Sequence, residues 1–430
     1  LYTVHGRGHC VCVYNFALLQ LIYGLVCKKS GCVRDLLYTV HGRGHCVCVY
    51  NFALLQLIYG LVCKKSGCVR DLLYTVHGRG TAVLVKWQCS GGHAGGKWWS
   101  QPKFKGVYAG NLHMASALIM SGINFSKIHL MTKCFKLHFF SESSFYRYQR
   151  LFIAPGVAKY WSDKQRDLIH DLQGTSVIIA GDGRNDSPGH SAQYCTYSIL
   201  DASSGRILHI EVVDVREAAG KSTNMERIGF ERGMSFLAGK VDVKTMVTDA
   251  HPQIMAVMKR CEKYEGIGHQ IDVWHGGKNL AKRLDKAASE KSCKPLMPFR
   301  YASKSCGGDA ETLSLWPACI LHHVCNEHEW ELQADGSPGN CNHGALTEDA
   351  ERKPWLEKDS TSTVLCDTRF RNTLPYYAEF LHTGKLESFH SHLLMYCSKR
   401  HSFKYIGYST RNHLAAMDHK SHPDCKIVRS

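Results

Sequence analysis

Two phrases about seventy residues apart each run from an apolar stretch into an aspartate. They are Ile178-Ile179-Ala180-Gly181-Asp182-Gly183-Arg184-Asn185-Asp186 and Val243-Lys244-Thr245-Met246-Val247-Thr248-Asp249-Ala250-His251. A strand that delivers a carboxylate at or near its end sets a metal ligand on a rigid edge. Two such carboxylates brought together repel unless a cation lies between them. Oxygen donors of this kind suit Mg²⁺ or Mn²⁺, with water kept in the shell. A site so built aligns a water or a 3′-hydroxyl with a phosphodiester and stabilises both the attacking and the leaving oxygens. Asp186 is the rival to Asp182, although Ser187-Pro188-Gly189 behind it reads as turn chemistry.

A two-metal site needs a third acid from a later helix, and Glu387 has the fitting context. It lies in His382-Thr383-Gly384-Lys385-Leu386-Glu387-Ser388-Phe389-His390, one turn into a helix that continues through Leu393, Leu394 and Tyr396. A second donor set is softer. His322-His323-Val324-Cys325-Asn326-Glu327-His328 and Cys341-Asn342-His343 would supply His323 or His328 with Cys341 and His343 to a structural Zn²⁺. The plain alternative is buried cysteine beside surface histidine.

The elements that must position the aspartates can be read from period and punctuation. Ser176–Gly181, Tyr194–Leu200 and Arg206–Val213 form three antiparallel strands, with Asp201–Gly205 as a turn. Thr223-Asn224-Met225-Glu226 reads as a capping box opening a helix through Phe230, Met234 and Leu237. The crossover then delivers Val243–Val247 parallel to the first strand. Pro252 opens the next helix, and Ile267–Val273 is a further strand ending in Asp272-Val273-Trp274-His275. A basic helix follows, carrying Lys278, Lys282, Arg283 and Lys286 around Leu280 and Leu284. The order predicts an α/β fold: an RNase H-like mixed sheet of three antiparallel strands and then β-α-β units. In it Asp182 and Asp249 become neighbours, and a mostly helical insertion over 289–375 precedes Glu387. Upstream, two helices around Pro155-Gly156 could form a helix-turn-helix, though a plain helical subdomain over 86–173 is the commoner outcome.

The remaining boundaries are 174–288 for the first part of the core, 376–420 for the C-terminal catalytic helix region and 421–430 for a tail. Residues 1–36 recur without change at 37–72, and a third copy stops at Gly80. Solenoid units drift at their surfaces and differ at their ends, so identity throughout points to recent duplication rather than to an array. Residues 1–80 are therefore expected to be no folded functional domain. Their apolar runs are short for a bilayer and contain Asn15 and Gln20, so membrane association is disfavoured. The chain carries 53 Lys and Arg against 37 Asp and Glu, which favours an anionic partner, nucleic acid first. Nine basic and two acidic residues of that total lie in residues 1–80. Twenty cysteines, eight of them in the repeat, read as free thiols of a reducing compartment rather than a secreted framework.

Several phrases together resemble those of Kolobok-type DDE transposases. They are Gly181-Asp182-Gly183-Arg184-Asn185-Asp186-Ser187-Pro188-Gly189-His190, Thr248-Asp249-Ala250-His251, His269-Gln270-Ile271-Asp272-Val273-Trp274-His275, His382–Glu387 and Met417-Asp418-His419. The likeness spans about Trp87 to His419. It implies a nuclear cut-and-paste transposase, acting on transposon ends and target DNA, with homo-oligomers expected. The implied catalytic triad is Asp182, Asp249 and Glu387, with Mg²⁺ or Mn²⁺, and Asp272 and His275 match the family's Asp-x-x-His signature. Asp186, Asp272 and His275 are the supporting residues; Lys278, Lys282, Arg283, Lys286, Lys399 and Arg400 are the DNA-binding candidates. Related elements often carry an N-terminal zinc-dependent THAP domain that reads the transposon ends; its Cys/His spacing has no match here, which puts the targeting in doubt and leaves the implied triad intact. The alternative is a catalytically inactive transposase-derived DNA-binding protein that keeps the fold and the basic surface.

Overall fold

The computed structural model describes residues 63–134, 137–188, 191–287, 296–331, 338–341, 344 and 355–419. The chain divides into two compact units. One comprises residues 1–164 and 393–430, the other residues 165–392.

Among the described residues, the first element of the first unit is a strand, not a helix. β1 (Leu72–Arg79) pairs antiparallel with β2 (Ala82–Cys89), and β3 (Gly96–Trp99) adds to β2. The expected boundary at residue 80 thus falls inside a hairpin, and residues 73–79 of the third repeat copy lie in β1. Most of the repeat, residues 1–62, lies outside the described residues.

α1 (Ala109–Met120), α2 (Phe125–Cys134) and α3 (Glu142–Tyr148) follow. Ser141 caps α3 by accepting from the Ser144 N–H, as its type predicts. The expected turn at Pro155 does not form. Gln149–Ile153 is one π turn that runs straight into α4 (Ala154–His170). Proline lacks an N–H and crowds the carbonyl four residues back, and the wider π turn relieves both conflicts. A continuous rod replaces the helix-turn-helix.

In the second unit β4 (Ser176–Asn185), β5 (Tyr194–Asp201) and β6 (Ile207–Asp214) form the expected antiparallel meander. α5 (Met225–Leu237) crosses to β7 (Asp242–Thr248), which lies parallel to β4. α6 (Pro252–Arg260) then leads to β8 (Gly268–Ile271), parallel to β7. The five-stranded order is β8-β7-β4-β5-β6. Every residue of the β5 strand is buried, as a central strand covered on both faces requires.

Ile179, Tyr197, Ile199 and Leu208 on the sheet, with Phe230, Met234 and Leu237 of α5, make one core. Fully burying a side chain such as Phe230 contributes about 2–3 kcal/mol. A second core joins Val273, Leu280 and Leu284 of α7 (Val273–Ala287) to the insertion. There α8 (Leu296–Ser305), α9 (Ala310–Val324) and α10 (Lys358–Leu365) supply Phe299, Leu313, Ile320 and Leu365. Among its described residues the insertion is mostly helical, as expected, with a short hairpin of Glu329–Glu331 and Pro338–Asn340.

The last elements among the described residues are α11 (Gly384–Tyr396) and α12 (Tyr405–Asp418). The expected 376–420 region is divided between the two units after residue 392. Within the first unit, buried Arg411 of α12 donates to the carbonyls of Ile119 and Ile123 at 3.0 and 3.1 Å, satisfying the end of α1. Among the described residues every cysteine is free, and no helix is long and apolar enough to cross a membrane.

Candidate active site

Asp182 lies within β4, three residues before its end, rather than at the tip. It pairs with Ser198 of β5, so both side chains share one face, while Gly181, Gly183 and Tyr197 share the other. The flanking glycines have a steric cause. A Cβ at Gly181 would stand 2.5 Å from Tyr197 and Met246, and one at Gly183 would stand 2.5 Å from Glu226. The Gly-Asp-Gly phrase therefore lets α5 close on the strand while Asp182 projects from the opposite face.

Asp249 sits one residue past β7, as its sequence predicts. Asp272 sits one residue past β8, and its N–H donates to the Thr248 carbonyl at 3.0 Å, extending the parallel pairing. These two strand ends anchor the returning chain after the insertion. Val273 N–H donates to Leu381 O at 3.1 Å, and both the N–H and the hydroxyl of Thr383 donate to Asp272 Oδ2 at 2.6 Å. Thr383 in turn accepts from the N–H groups of Leu386 and Glu387, starting α11. That clasp fixes where Glu387 emerges.

His275, on the first turn of α7, joins the carboxylates. Its Nδ1 lies 2.8 Å from Asp249 Oδ1, and its Nε2 lies 3.2 Å from Glu387 Oε1. The Asp249 contact raises the imidazole to about 9, against the opposing effect of burial, so His275 is a cation at neutral pH. His390, three residues after Glu387 on α11, brings Nδ1 to 3.4 Å from Asp182 Oδ2. The ion-pair partners of Asp182, Asp249 and Glu387 are thus histidines.

Burial pushes Asp249 above the usual carboxylate range and the charge of Asp182 adds to it, while His275 pulls the other way. For Asp272 burial also pushes upward, but the Thr383 hydroxyl and N–H and the His275 N–H outweigh it and hold the group below its usual value. Asp272 is therefore committed to structure. Asp249, Asp272 and His275 offer ligand atoms within 4.8 Å of one another. With Asp272's oxygens occupied by backbone and hydroxyl donors, Asp249, bonded to the His275 imidazole through Oδ1, is the carboxylate of that group left to serve a cation. Asp186 belongs to its loop: Oδ1 accepts from Gln193 N–H at 3.0 Å.

Glu226 escaped sequence reasoning. The expected capping box at Thr223–Glu226 does not form, because Ser222–Asn224 make a 3₁₀ turn and α5 starts at Met225. Glu226 instead turns under Gly183, with Oε2 4.0 Å from His251 Nε2. Burial, reinforced by Asp182 and Asp249, raises it to about 8. His390 was also missed, though its i, i+3 relation to Glu387 placed both on one helix face.

In the insertion, Cys341 Sγ lies 3.4 Å from Nδ1 of both His323 and His328, a candidate metal group of three donors. His343 lies outside the described residues. Lys278, Lys282, Arg283 and Lys286 are exposed on α7, but Arg283 is held by Asp367 at 2.7 Å. Lys399 and Arg400 are exposed in the first unit. Comparison with protein-family models finds no match, and comparison with curated proteins finds no relative.

Proposed function

We propose that this chain is a transposase-derived protein whose RNase H-like core cleaves and joins DNA phosphodiesters, with Mg²⁺ or Mn²⁺ held by Asp182, Asp249 and Glu387. The observation that carries the reading is the bridge of His275 to Asp249 at 2.8 Å and to Glu387 at 3.2 Å, across the whole helical insertion. The strand order supports it, with three antiparallel strands flanked on the β4 side by two parallel ones. Among the described residues the acidic group whose ligand atoms lie within 4.8 Å of one another is Asp249, Asp272 and His275, not Asp182, Asp249 and Glu387; what supports a cation is that burial and the Asp182 charge raise Asp249.

Such an ion supplies the charge that stabilises the attacking and leaving oxygens of the phosphodiester. Asp182 and Asp249, on adjacent parallel strands, set its position. His275 holds Asp249 and Glu387 through its two ring nitrogens, and Asp272 Oδ1 fixes the start of its helix by accepting from the His275 backbone N–H at 2.9 Å. Thr383 sets the start of α11 and hence the reach of Glu387. The same reading makes transposon-end and target DNA the partners, a homo-oligomer the working form and the nucleus the compartment.

Asp249→Ala should abolish Mn²⁺-dependent nicking of DNA that carries the flanks of the protein's own gene, and unchanged nicking removes Asp249 from the site. A second reading is a DNA-binding derivative without chemistry. It is favoured by the half-exposed Glu387, which His275 engages directly. A parent protein that binds this DNA but never nicks it in Mn²⁺ selects that reading.

A further inference from the structure

The first unit holds a donor set of a different kind. Cys63 and Cys68 are joined by a tight turn in which Cys68 N–H donates to Lys65 O at 3.1 Å. The chain then leaves along β1 and returns along β2, whose last residue, Cys89, pairs with Leu72. Ser90 N–H donates to Asp71 O at 3.0 Å, closing the open end of the hairpin. Gly92 has a φ of +75° and donates its N–H to Cys89 O at 2.9 Å, a turn that brings His93 back over Cys89. Two Cys in one turn thus meet a Cys and a His in another.

The distances are those of ligands around a common centre. Cys68 Sγ lies 3.7 Å from Cys89 Sγ, Cys89 Sγ lies 3.6 Å from His93 Nδ1, and Cys63 Sγ lies 3.4 Å from His93 Nδ1. All four ligand atoms fall within 4.8 Å of one another. Sulfur and nitrogen bound to Zn²⁺ at ordinary lengths stand about 3.5–3.8 Å apart at the corners of a tetrahedron. Gly91 N–H also donates to Cys89 Sγ at 3.4 Å, fixing the sulfur's direction toward the other donors. A disulfide between Cys68 and Cys89 would use two of the four donors and explain neither Cys63 nor His93.

We propose that Cys63, Cys68, Cys89 and His93 form a structural zinc site that closes the N-terminal three-stranded sheet. Three soft thiolates and an imidazole select zinc over the hard cations suited to the carboxylate site. A sheet this small has little core of its own, Leu84 and Val85 being among its few buried apolar side chains, and metal closure is how small folds make up that deficit. The site also gives the repeat a meaning. The first copy carries the same pair at Cys27 and Cys32, but Gly44 is followed by His45-Cys46-Val47-Cys48 instead of a strand ending in Cys-x-x-x-His. The pair next to β1 is the copy whose hairpin supplies the other half.

The test is zinc content of the full chain, purified under reducing conditions and measured by plasma mass spectrometry. Cys89→Ser should lower bound zinc by one equivalent, whereas the Cys27→Ser/Cys32→Ser double variant should match the parent. Parent-level zinc in Cys89→Ser overturns the site. Should that variant precipitate, cobalt loading of Cys341→Ser, which silences the insertion's candidate group, gives a second readout. Tetrahedral d–d bands with strong thiolate-to-cobalt charge transfer are expected, and their absence overturns the proposal equally. Neither arm depends on DNA cleavage.

Discussion

Asp249 and Asp272 hold matching places in the fold, each one residue past a parallel strand and within reach of the same imidazole. Their fates differ through their neighbours. Asp272 is 2% exposed and accepts from Thr383 twice and from the His275 N–H. Asp249 is a third exposed, with His275 its ion-pair partner. One carboxylate is held below its usual range and the other above it. A strand-end aspartate is thus a position rather than a function. The groups that converge on it decide whether its charge is spent on the fold or kept for a ligand.

The widest break in that comparison is catalytic. Asp249→Asn should cost at least about a thousandfold in Mn²⁺-dependent nicking, as loss of a group acting with others at one site does. Its metal-free thermal stability should fall less than that of an Asp272 variant, since loss of the His275 pair is offset by removal of a charge that burial disfavours. A stability loss as large as that of an Asp272 variant would erase the distinction. Asp272→Ala should destabilise by about 3 kcal/mol, because three donors lose their acceptor in a buried place. Urea unfolding reads this directly. Thr383→Val, which removes the hydroxyl but leaves the N–H bond, should cost about 1 kcal/mol. Equal losses for the two variants would mean that Asp272 is not the hub of the clasp.

Much of this was legible in advance. The three-stranded meander, the crossover at Phe230–Leu237 and the placement of Asp249 follow from local pattern and chain handedness, and all three are observed. What failed was what depends on distant packing. Thr223–Glu226 has the letters of a capping box, but the space opened by Gly183 draws Glu226 under β4. Pro155 looks like a stop, yet a π turn carries the helix past it. The Cys63–His93 cluster was hidden by its setting. Half of it lies in a duplicated segment, and a hairpin, not a short spacer, separates its halves. Asp272 and Asp249 were distinguishable only once Thr383, more than a hundred residues away, had been placed beside one of them.

The finest test of the comparison uses pH, because the site holds two groups displaced in the same direction for different reasons. Glu226 is raised from 4.5 to about 8, so between those values the folded protein holds a proton that the unfolded chain has released. Stability must then fall as pH rises from about 4.5 to 8, by an amount on the order of 2–3 kcal/mol for a group of this burial. Glu226→Gln should flatten that decline. His275 is raised from 6.5 to about 9, and its contribution is fully present below 6.5 and lost as pH climbs through 9. Removing it with His275→Gln should cost about 1 kcal/mol at pH 6 and almost nothing at pH 10. Thermal unfolding across pH 4.5–10 separates the two windows. If His275→Gln were as costly at pH 10 as at pH 6, packing rather than the charge on Asp249 would hold the imidazole. The link between Asp249 and Glu387 would then be steric.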